Sequence, residues 1–352
     1  MRVSLMNDHV PIKQRLIMKM RQSKIKIKVI GIIFLLFFSA IAYARPQDEA
    51  TTVRIGYLNI TASLPLFIAE DQGYFSDEKI NYQTFPIATS NQLVDGIIAD
   101  NIDVFIESSA VPVLAVQSQA PGRLKVFSVS AITKKAPFDA ILVKDGSPIA
   151  SLQELARKKI GVFPGSTATT LLKKYFSDSG IDVSGITFVP IPPQNQITSL
   201  LAGNVDALHA YEPTIAIGME KGLHRLYGSV YADMLEPNPQ GVAVISTKFL
   251  NDHPSIASKI ISVLEHGMVF MREDETEARK ILAKRLNLEA SVANRSGFLY
   301  MLPHNEIDSI IFQKYADMLV SLGEINGNID VNSLLYREKP KTKSYISSVK
   351  KK

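Results

Sequence analysis

Apolar and polar positions along this chain follow two rhythms that keep trading places. Short runs rich in Val, Ile and Leu read as buried strands, and between them apolar residues recur at the spacing of one helix face. The pattern predicts a strand over Val53–Leu58 and a helix over Leu64–Glu70 that ends at Gln72-Gly73. A strand over Asn81–Phe85 and a helix over Asn91–Asp100 follow, with Leu93, Val94, Ile97 and Ile98 on one face. Strands at Asp103–Ile106 and Lys125–Ala131 flank a helix over Ala110–Gln119, which Pro121-Gly122 closes. Pro137 then breaks the rhythm within Thr133–Asp139, which reads as a crossover.

Beyond the crossover the same alternation returns. Strands are predicted at Ala140–Val143, Lys159–Phe163, Ile186–Ile191 and Ala207–Ala210, and helices at Ala168–Ser179 and Asn195–Ala202. Ser151-Leu152-Gln153-Glu154 has the form of a capping box before a short helix, and Tyr211-Glu212-Pro213 opens another. Short matches tie the two stretches together. Arg54-Ile55-Gly56 resembles Lys159-Ile160-Gly161. Asn91-Gln92 with Asn101-Ile102-Asp103 resembles Asn195-Gln196 with Asn204-Val205-Asp206. A second crossover, marked by Pro237, Pro239 and Gly241, precedes a strand at Val242–Ser246. From there the pattern is helical: Pro254–Arg272, Glu273–Leu286 and Asn305–Leu322.

Strands alternating with helices predict the α/β class, with two mainly parallel, doubly wound lobes. Lobe I would be residues 50–136 with 240–336, and lobe II residues 137–239. A lobe that is left and re-entered makes two connections, a two-segment hinge that lets the body close on a ligand.

Composition narrows the function. The chain has 352 residues, enough for two cores, and no cysteine, so it offers neither a disulfide frame nor a Cys-based metal site nor a lipid-anchored export signal. Its net charge is +5, but the basicity sits at the ends. Residues 1–44 and 337–352 together hold 15 Lys/Arg and two acids. Removing these from 39 and 34 leaves 24 basic and 32 acidic residues, so the body is at −8. An acidic body argues against nucleic acid as a partner. Lys24, Lys26 and Lys28 precede the apolar run Val29–Ala42, and Ala42-Tyr43-Ala44 follows, the layout of a secretory signal peptide with a cleavage site. An uncleaved anchor is the other reading, and Met20 is an alternative start. The tail from Arg337 is polar, lysine-rich and expected to be disordered.

In open α/β sheets, ligands sit where the strand-to-helix loops gather. Here those loops supply Ser63, Ser90, Asn91, Ser108, Ser109, Gly165, Ser166, Thr167, Asn195, Tyr211 and Glu212 as candidate ligand-binding residues. The stretch from Lys159 to Leu172 is the clearest: a strand, a Pro-Gly turn, and a helix opening on Ser166 and Thr167. Those hydroxyls can cap the helix, and the free N–H groups beside them form an anion site. Uncharged donors of this kind can hold an oxyanion without Arg. Glu212 reads either as the partner of a ligand's amine or N–H end, or as an acid stabilised at a helix start. Tyr211 and Phe138 are candidate aromatic walls. No metal-ligand spacing, phosphate loop, dinucleotide fingerprint or nucleophile elbow occurs, so no enzyme, metal or cofactor is expected. His209, on an apolar strand, reads as a core residue.

Three stretches carry a resemblance. Ile55-Gly56-Tyr57-Leu58 runs into Thr61-Ala62, Pro65-Leu66-Phe67-Ile68-Ala69 and Gly73-Tyr74-Phe75. Ser151-Leu152-Gln153-Glu154-Leu155 runs into Ile160-Gly161-Val162 and Gly165-Ser166-Thr167. Leu200-Leu201-Ala202-Gly203-Asn204-Val205-Asp206-Ala207 leads to Glu212-Pro213. Their order and spacing resemble the nitrate/sulfonate/taurine-type periplasmic solute-binding proteins. The resemblance implies the type II periplasmic-binding-protein fold: a periplasmic monomer that captures a small solute and delivers it to an inner-membrane ABC permease. It also implies alternatives: relatives that bind thiamine-precursor pyrimidines, or an enzyme on the same fold. A membrane-tethered sensory subunit would follow if the N-terminal segment stays attached. Members often carry Trp-Asp or Trp-Glu where this chain has Tyr211-Glu212, so a phenol replaces an indole wall.

Overall fold

Two mid-strand glycines explain the recurrence. A Cβ on Gly56 would stand 2.6 Å from Leu93 Cδ2 and 2.8 Å from Ile102 Cδ1; on Gly161 it would stand 2.6 Å from Leu208 Cδ2 and 2.9 Å from Ile191 Cδ1. At both places an apolar side chain presses onto the strand where only hydrogen leaves room. Next to each glycine the same clasp repeats. Asp103 Oδ2 accepts from Arg54 N at 2.8 Å, and Asp206 Oδ2 accepts from Lys159 N at 2.8 Å. Each aspartate's own N–H returns a bond to the carbonyl of Arg54 or Lys159.

The computed structural model describes residues 51–338, apart from the side chain of Ser166. One sheet is built from β1 (Val53–Leu58), β2 (Tyr82–Ile87), β3 (Val104–Ser109), β4 (Leu124–Ile132), β10 (Asn238–Ser246) and β11 (Tyr300–Pro303), in the order β11-β4-β10-β3-β1-β2. The other is built from β5 (Asp139–Lys144), β6 (Lys159–Val162), β7 (Thr187–Pro190), β8 (Ala207–Tyr211) and β9 (Leu223–Tyr227), in the order β7-β6-β8-β5-β9. β1 is parallel to β2 and β3, and β6 is parallel to β7 and β8. β10 runs antiparallel between β3 and β4, as β5 does between β8 and β9. Over five strands the two sheets share one spatial order and direction, β11 being an extra edge strand of the first, and both are mixed rather than mainly parallel. The reason is the crossover: the first strand after each passage comes from the other sheet and enters in the opposite direction.

The chain passes between the sheets twice, from Ile132 to Asp139 and from Tyr227 to Asn238. Asp139 ties the two passages together. It is fully buried, and its carboxylate accepts from Val230 N at 2.9 Å, from Ser229 Oγ, and faces His209 Nε2 at 3.1 Å. His209 is thus a core residue with one ring nitrogen engaged; Nδ1 has no partner among the described residues.

Some local expectations change. β9 and β11 were not predicted, and the chain beyond Ser246 is therefore not purely helical. β11 is a short edge strand that ends on Pro303, as proline's missing N–H requires. Ser151 makes no side-chain cap; Leu152–Leu155 is a single 3-10 turn, and Glu154 instead accepts from Ala150 N at 2.5 Å. The N-terminal signal or anchor (1–44) and the tail from Lys339 lie outside the described residues. No described helix is long and apolar enough to cross a membrane.

Candidate functional site

A cavity of about 240 Å³ opens between the two sheets. From the first sheet it takes Leu58, the Thr89-Ser90-Asn91 loop, Glu107, Ser108, Ser109, Ile132 and Gln240; from the second, Phe138, Phe163-Pro164-Gly165, Thr167, Ala168 and Tyr211. Ile60 and Leu299 complete its apolar wall.

Three helices begin at this cavity. Ser90–Ile98 is capped by Thr89, whose Oγ1 accepts from Gln92 N at 3.3 Å. Ala110–Gln119 is capped by Ser109, whose Oγ accepts from Val111 N at 3.4 Å. Ser166–Asp178 has Gly165 at its cap position, with φ 124°, and no side-chain cap. The left-handed backbone there suits glycine alone. Ser166 and Thr167 therefore stand in the first turn, past the cap position. The uncapped first-turn N–H groups and the positive end of the helix dipole favour an anion at this wall.

The hydroxyls add donors. Ser90 Oγ accepts from Ser109 N at 2.9 Å, and Ser109 Oγ lies 3.5 Å from Thr167 Oγ1 across the cleft. A hydroxyl that accepts from a backbone N–H still has its own hydrogen to give. Ser108 differs, because its O–H is spent on the Ser109 carbonyl at 3.1 Å. Among the described residues, no Lys, Arg or His side chain lines the cavity.

The aromatic wall forms around Tyr211, whose ring stands 6.2 Å from Phe138 and 5.8 Å from Phe163. Its hydroxyl meets that of Tyr231 at 2.9 Å, and burial holds its ionisation well above the ordinary range. Gln240 Oε1 accepts from Tyr315 Oη at 2.7 Å, leaving its amide nitrogen as a donor.

Glu107 is the acid of the cavity. It is 5% exposed, and its Oε2 accepts from Ser130 Oγ at 2.6 Å. Burial pushes its carboxyl up to about 8, with the Ser130 hydrogen bond opposing the rise. Gly241, on the neighbouring strand β10, makes room for it: a Cβ there would stand 1.7 Å from Glu107 Oε1.

Of the residues expected from sequence, the cavity brings together Ser90, Asn91, Ser108, Ser109, Phe138, Gly165, Thr167 and Tyr211. It does not include Ser63, Asn195 or Glu212. Ser63 is fully buried and donates to the Leu58 carbonyl at 2.6 Å, and Asn195 faces solvent on a helix elsewhere. Glu212 is 2% exposed and sits at a helix start, where its Oε2 accepts from Ala216 N at 3.1 Å. Burial raises its carboxyl to about 7, against backbone N–H groups of Ala216 and Gly297 and the charges of Arg225 and Arg279. Its helix-start reading fits this placement. In the sequence Glu107 is legible as a charge at a strand end, just before the candidate loop residue Ser108, and strand alternation puts it on the same face as Ser109. Gln240 lay hidden in a Pro-Gly segment read as crossover.

Two mixed sheets with the same order and direction over five strands, joined by two crossovers around a cleft lined with helix N-termini, define the periplasmic-binding-protein fold. Residues 46–287 match the family model described as the NMT1-like family, and the chain belongs to that family. It is 28% identical over 321 residues to a putative aliphatic sulfonates-binding protein of Bacillus subtilis, spanning 88% of this chain and 93% of that protein. Among solved structures it is similar to the alkanesulfonate-binding protein SsuA from Xanthomonas axonopodis pv. citri bound to MOPS. That likeness has a TM-score of 0.68 and 20% identity, and covers 82% of this chain and 98% of the other. The desulfurization enzyme DSZB is also similar, with a TM-score of 0.63 and 14% identity over 82% of this chain and 96% of that one. These likenesses to solved structures carry the fold alone.

Proposed function

We propose that this protein is the solute-binding component of an ABC importer and captures a small sulfonate-like anion between its lobes. Lobe I is residues 50–136 with 240–336, lobe II is 137–239, and closure about the two crossovers sequesters the ligand. The carrying observation is the meeting of three helix starts and several free O–H donors at a cavity that no described cationic side chain lines. Such a wall spreads an oxyanion's charge over many weak donors, which allows capture and later release. Apolar side chains around it suit an alkyl tail. In this reading the N-terminal basic and apolar segment exports a monomer to the periplasm, where it meets its inner-membrane permease. The similarity to an aliphatic sulfonates-binding protein supports the ligand class.

Titration calorimetry and thermal shift on the full chain test this with ethanesulfonate, taurine, nitrate and an aminopyrimidine, the last representing the other ligand class that the sequence resemblance implies. A ligand at a hundred times its Kd stabilises the folded state by about 2.7 kcal/mol, so a rise in Tm with a sulfonate is expected. Absence of any shift with sulfonates or nitrate refutes the reading.

A further inference from the structure

Helix starts and hydroxyls do not account for Glu107, yet strand register places its carboxyl beside them. Gly241 on β10 pairs with Ser109 on β3 and with Ser130 on β4, so the three residues form one row across the sheet. Glu107 stands two residues before Ser109 on β3 and points to the same face. Its side chain crosses the row over Gly241, where a Cβ would stand 1.7 Å from Oε1, and the Ser130 hydroxyl donates to Oε2 at 2.6 Å. The carboxyl thus lies beside Ser109, which caps a helix and meets Thr167 across the cleft. Its two oxygens differ. Oε2 is taken by Ser130. Oε1 has no hydrogen-bond partner among the described residues, yet it is not one of their sealed polar atoms, and Glu107 lines the cavity. A side chain only 5% exposed therefore turns one free oxygen to the cavity.

The surroundings decide which form the carboxyl takes. β10 and the helix Ala110–Gln119 carry no charged residue. Lys125, on β4, bonds the Ser333 carbonyl at the far end of that strand, and Arg54 on β1 pairs with Asp103 before the start of β3. Tyr211 lines the cavity and Tyr315 bonds Gln240; burial keeps both phenols neutral. Buried with no counter-charge, the free carboxyl stays mostly protonated at neutral pH.

We propose that Glu107 enters the anion site as a neutral acid and donates Oε1–H to an oxygen of the ligand's anionic head, so that the cleft holds an anion together with a proton. The inference rests on the anion reading of the same site and adds to it the protonation state in which the site is competent. Ser130 fixes the arrangement, because the oxygen that accepts its O–H leaves the proton to the other. A hydrogen bond from a carboxylic acid to an oxyanion is short and charge-assisted, stronger than one between neutral groups. Ionisation reverses the sign. One buried negative charge then faces another, with no cation lining the cavity among the described residues to separate them.

Ethanesulfonate is the probe, because its own charge does not change between pH 6 and pH 9. Titration calorimetry on the full chain should give a nearly constant Kd up to neutrality and a loss of about tenfold between pH 7 and pH 9. At pH 8.5 binding should draw a proton from solution, so its heat should vary with the buffer's ionisation enthalpy. Glu107→Met has similar length and no donor, and should weaken binding about tenfold at pH 7. Glu107→Gln should recover most of that loss, since its amide nitrogen donates while its oxygen still accepts from Ser130, and its Kd should stay level to pH 9. Glu212, which also titrates in this range, is common to all three proteins and cancels. A wild-type Kd that is flat from pH 6 to pH 9 overturns the inference. So does an equal alkaline loss in Glu107→Gln, or a Glu107→Met that binds as tightly as wild type. In those cases ethanesulfonate binding at pH 6 leaves the anion reading intact. A chain that binds ethanesulfonate at no pH overturns the anion reading and the inference with it.

Discussion

Replacing Glu107 by Gln should stabilise the protein at alkaline pH and leave it nearly unchanged in acid. The group's ordinary value of 4.5 rises to about 8 in the folded state. Unfolding near pH 7 therefore releases a proton, and stability falls as pH rises. The sign follows from which state holds the proton. Below 4.5 both states are protonated and Glu107 has no pH-dependent effect. Between 4.5 and about 8 only the folded state is protonated, and stability declines by about 1.4 kcal/mol per pH unit. Above about 8 both are ionised and the loss is complete, at about 5 kcal/mol over the interval. Gln has nearly the same shape, can still accept from Ser130, and does not titrate. Urea unfolding of both proteins at pH 5, 6, 7 and 8 isolates the effect, because every other group, Glu212 included, cancels in the difference. The variant should gain on wild type by about 3 kcal/mol at pH 7 and more at pH 8. A difference that stays flat with pH would show that the Glu107 carboxyl is solvated and would sink the reasoning.

Further expectations concern the walls and the crossovers. Thr167→Ala removes a hydroxyl at the uncapped helix start and should weaken sulfonate binding several-fold, about 1 kcal/mol, with Tm unmoved; unchanged affinity in calorimetry would place the anion elsewhere. Asp139→Asn disrupts a buried carboxylate that joins Val230, Ser229 and His209 across the two passages. It should lower the urea-derived stability by about 3 kcal/mol, and a loss under about 1 kcal/mol would mean the crossovers are held by packing. Gly56→Ala and Gly161→Ala meet side chains at the same 2.6 Å and should each cost about 1–3 kcal/mol. Marked inequality between them would break the equivalence of the two sheets.

The sequence carried the fold wherever burial imposed a period. β1, β3, β4, β6 and β8 stand close to their predicted places because each is an apolar run bounded by turn residues. Gly56 and Gly161 gave away the repeat because a side chain lying on the strand forbids a Cβ at both. β9 was missed because His224 and Arg225 dilute a short strand. The antiparallel insertions of β5 and β10 were invisible because strand direction is a tertiary property. In the site, loops at strand ends were legible as loops, and eight of the named residues do meet at the cavity. What sequence could not rank was which acid faces it. Glu212 follows an apolar strand in the same way as a cleft residue would, but Ala216 N–H and the helix start claim its carboxylate. Glu107 is legible as a charge at the strand end before Ser108, but the space kept for it comes from Gly241, far along the chain.

The position of β10 also sets an order of events while the chain is being synthesised. Both sheet neighbours of β4, β10 and β11, are synthesised after it, and even the bridge from Val126 goes forward to Leu335. Until Asn238–Ser246 emerges, β4 has two open edges and β3 has one, the kind of surface that recruits other chains. The strands of the second sheet all lie within Asp139–Tyr227, and Ser229 and Val230, which satisfy the buried Asp139, follow at once, so this sheet can assemble while the first still waits. The newborn chain therefore carries a formed second sheet beside an unfinished first one, and the strand that joins β3 to β4 is also the one that brings Gly241 to Glu107.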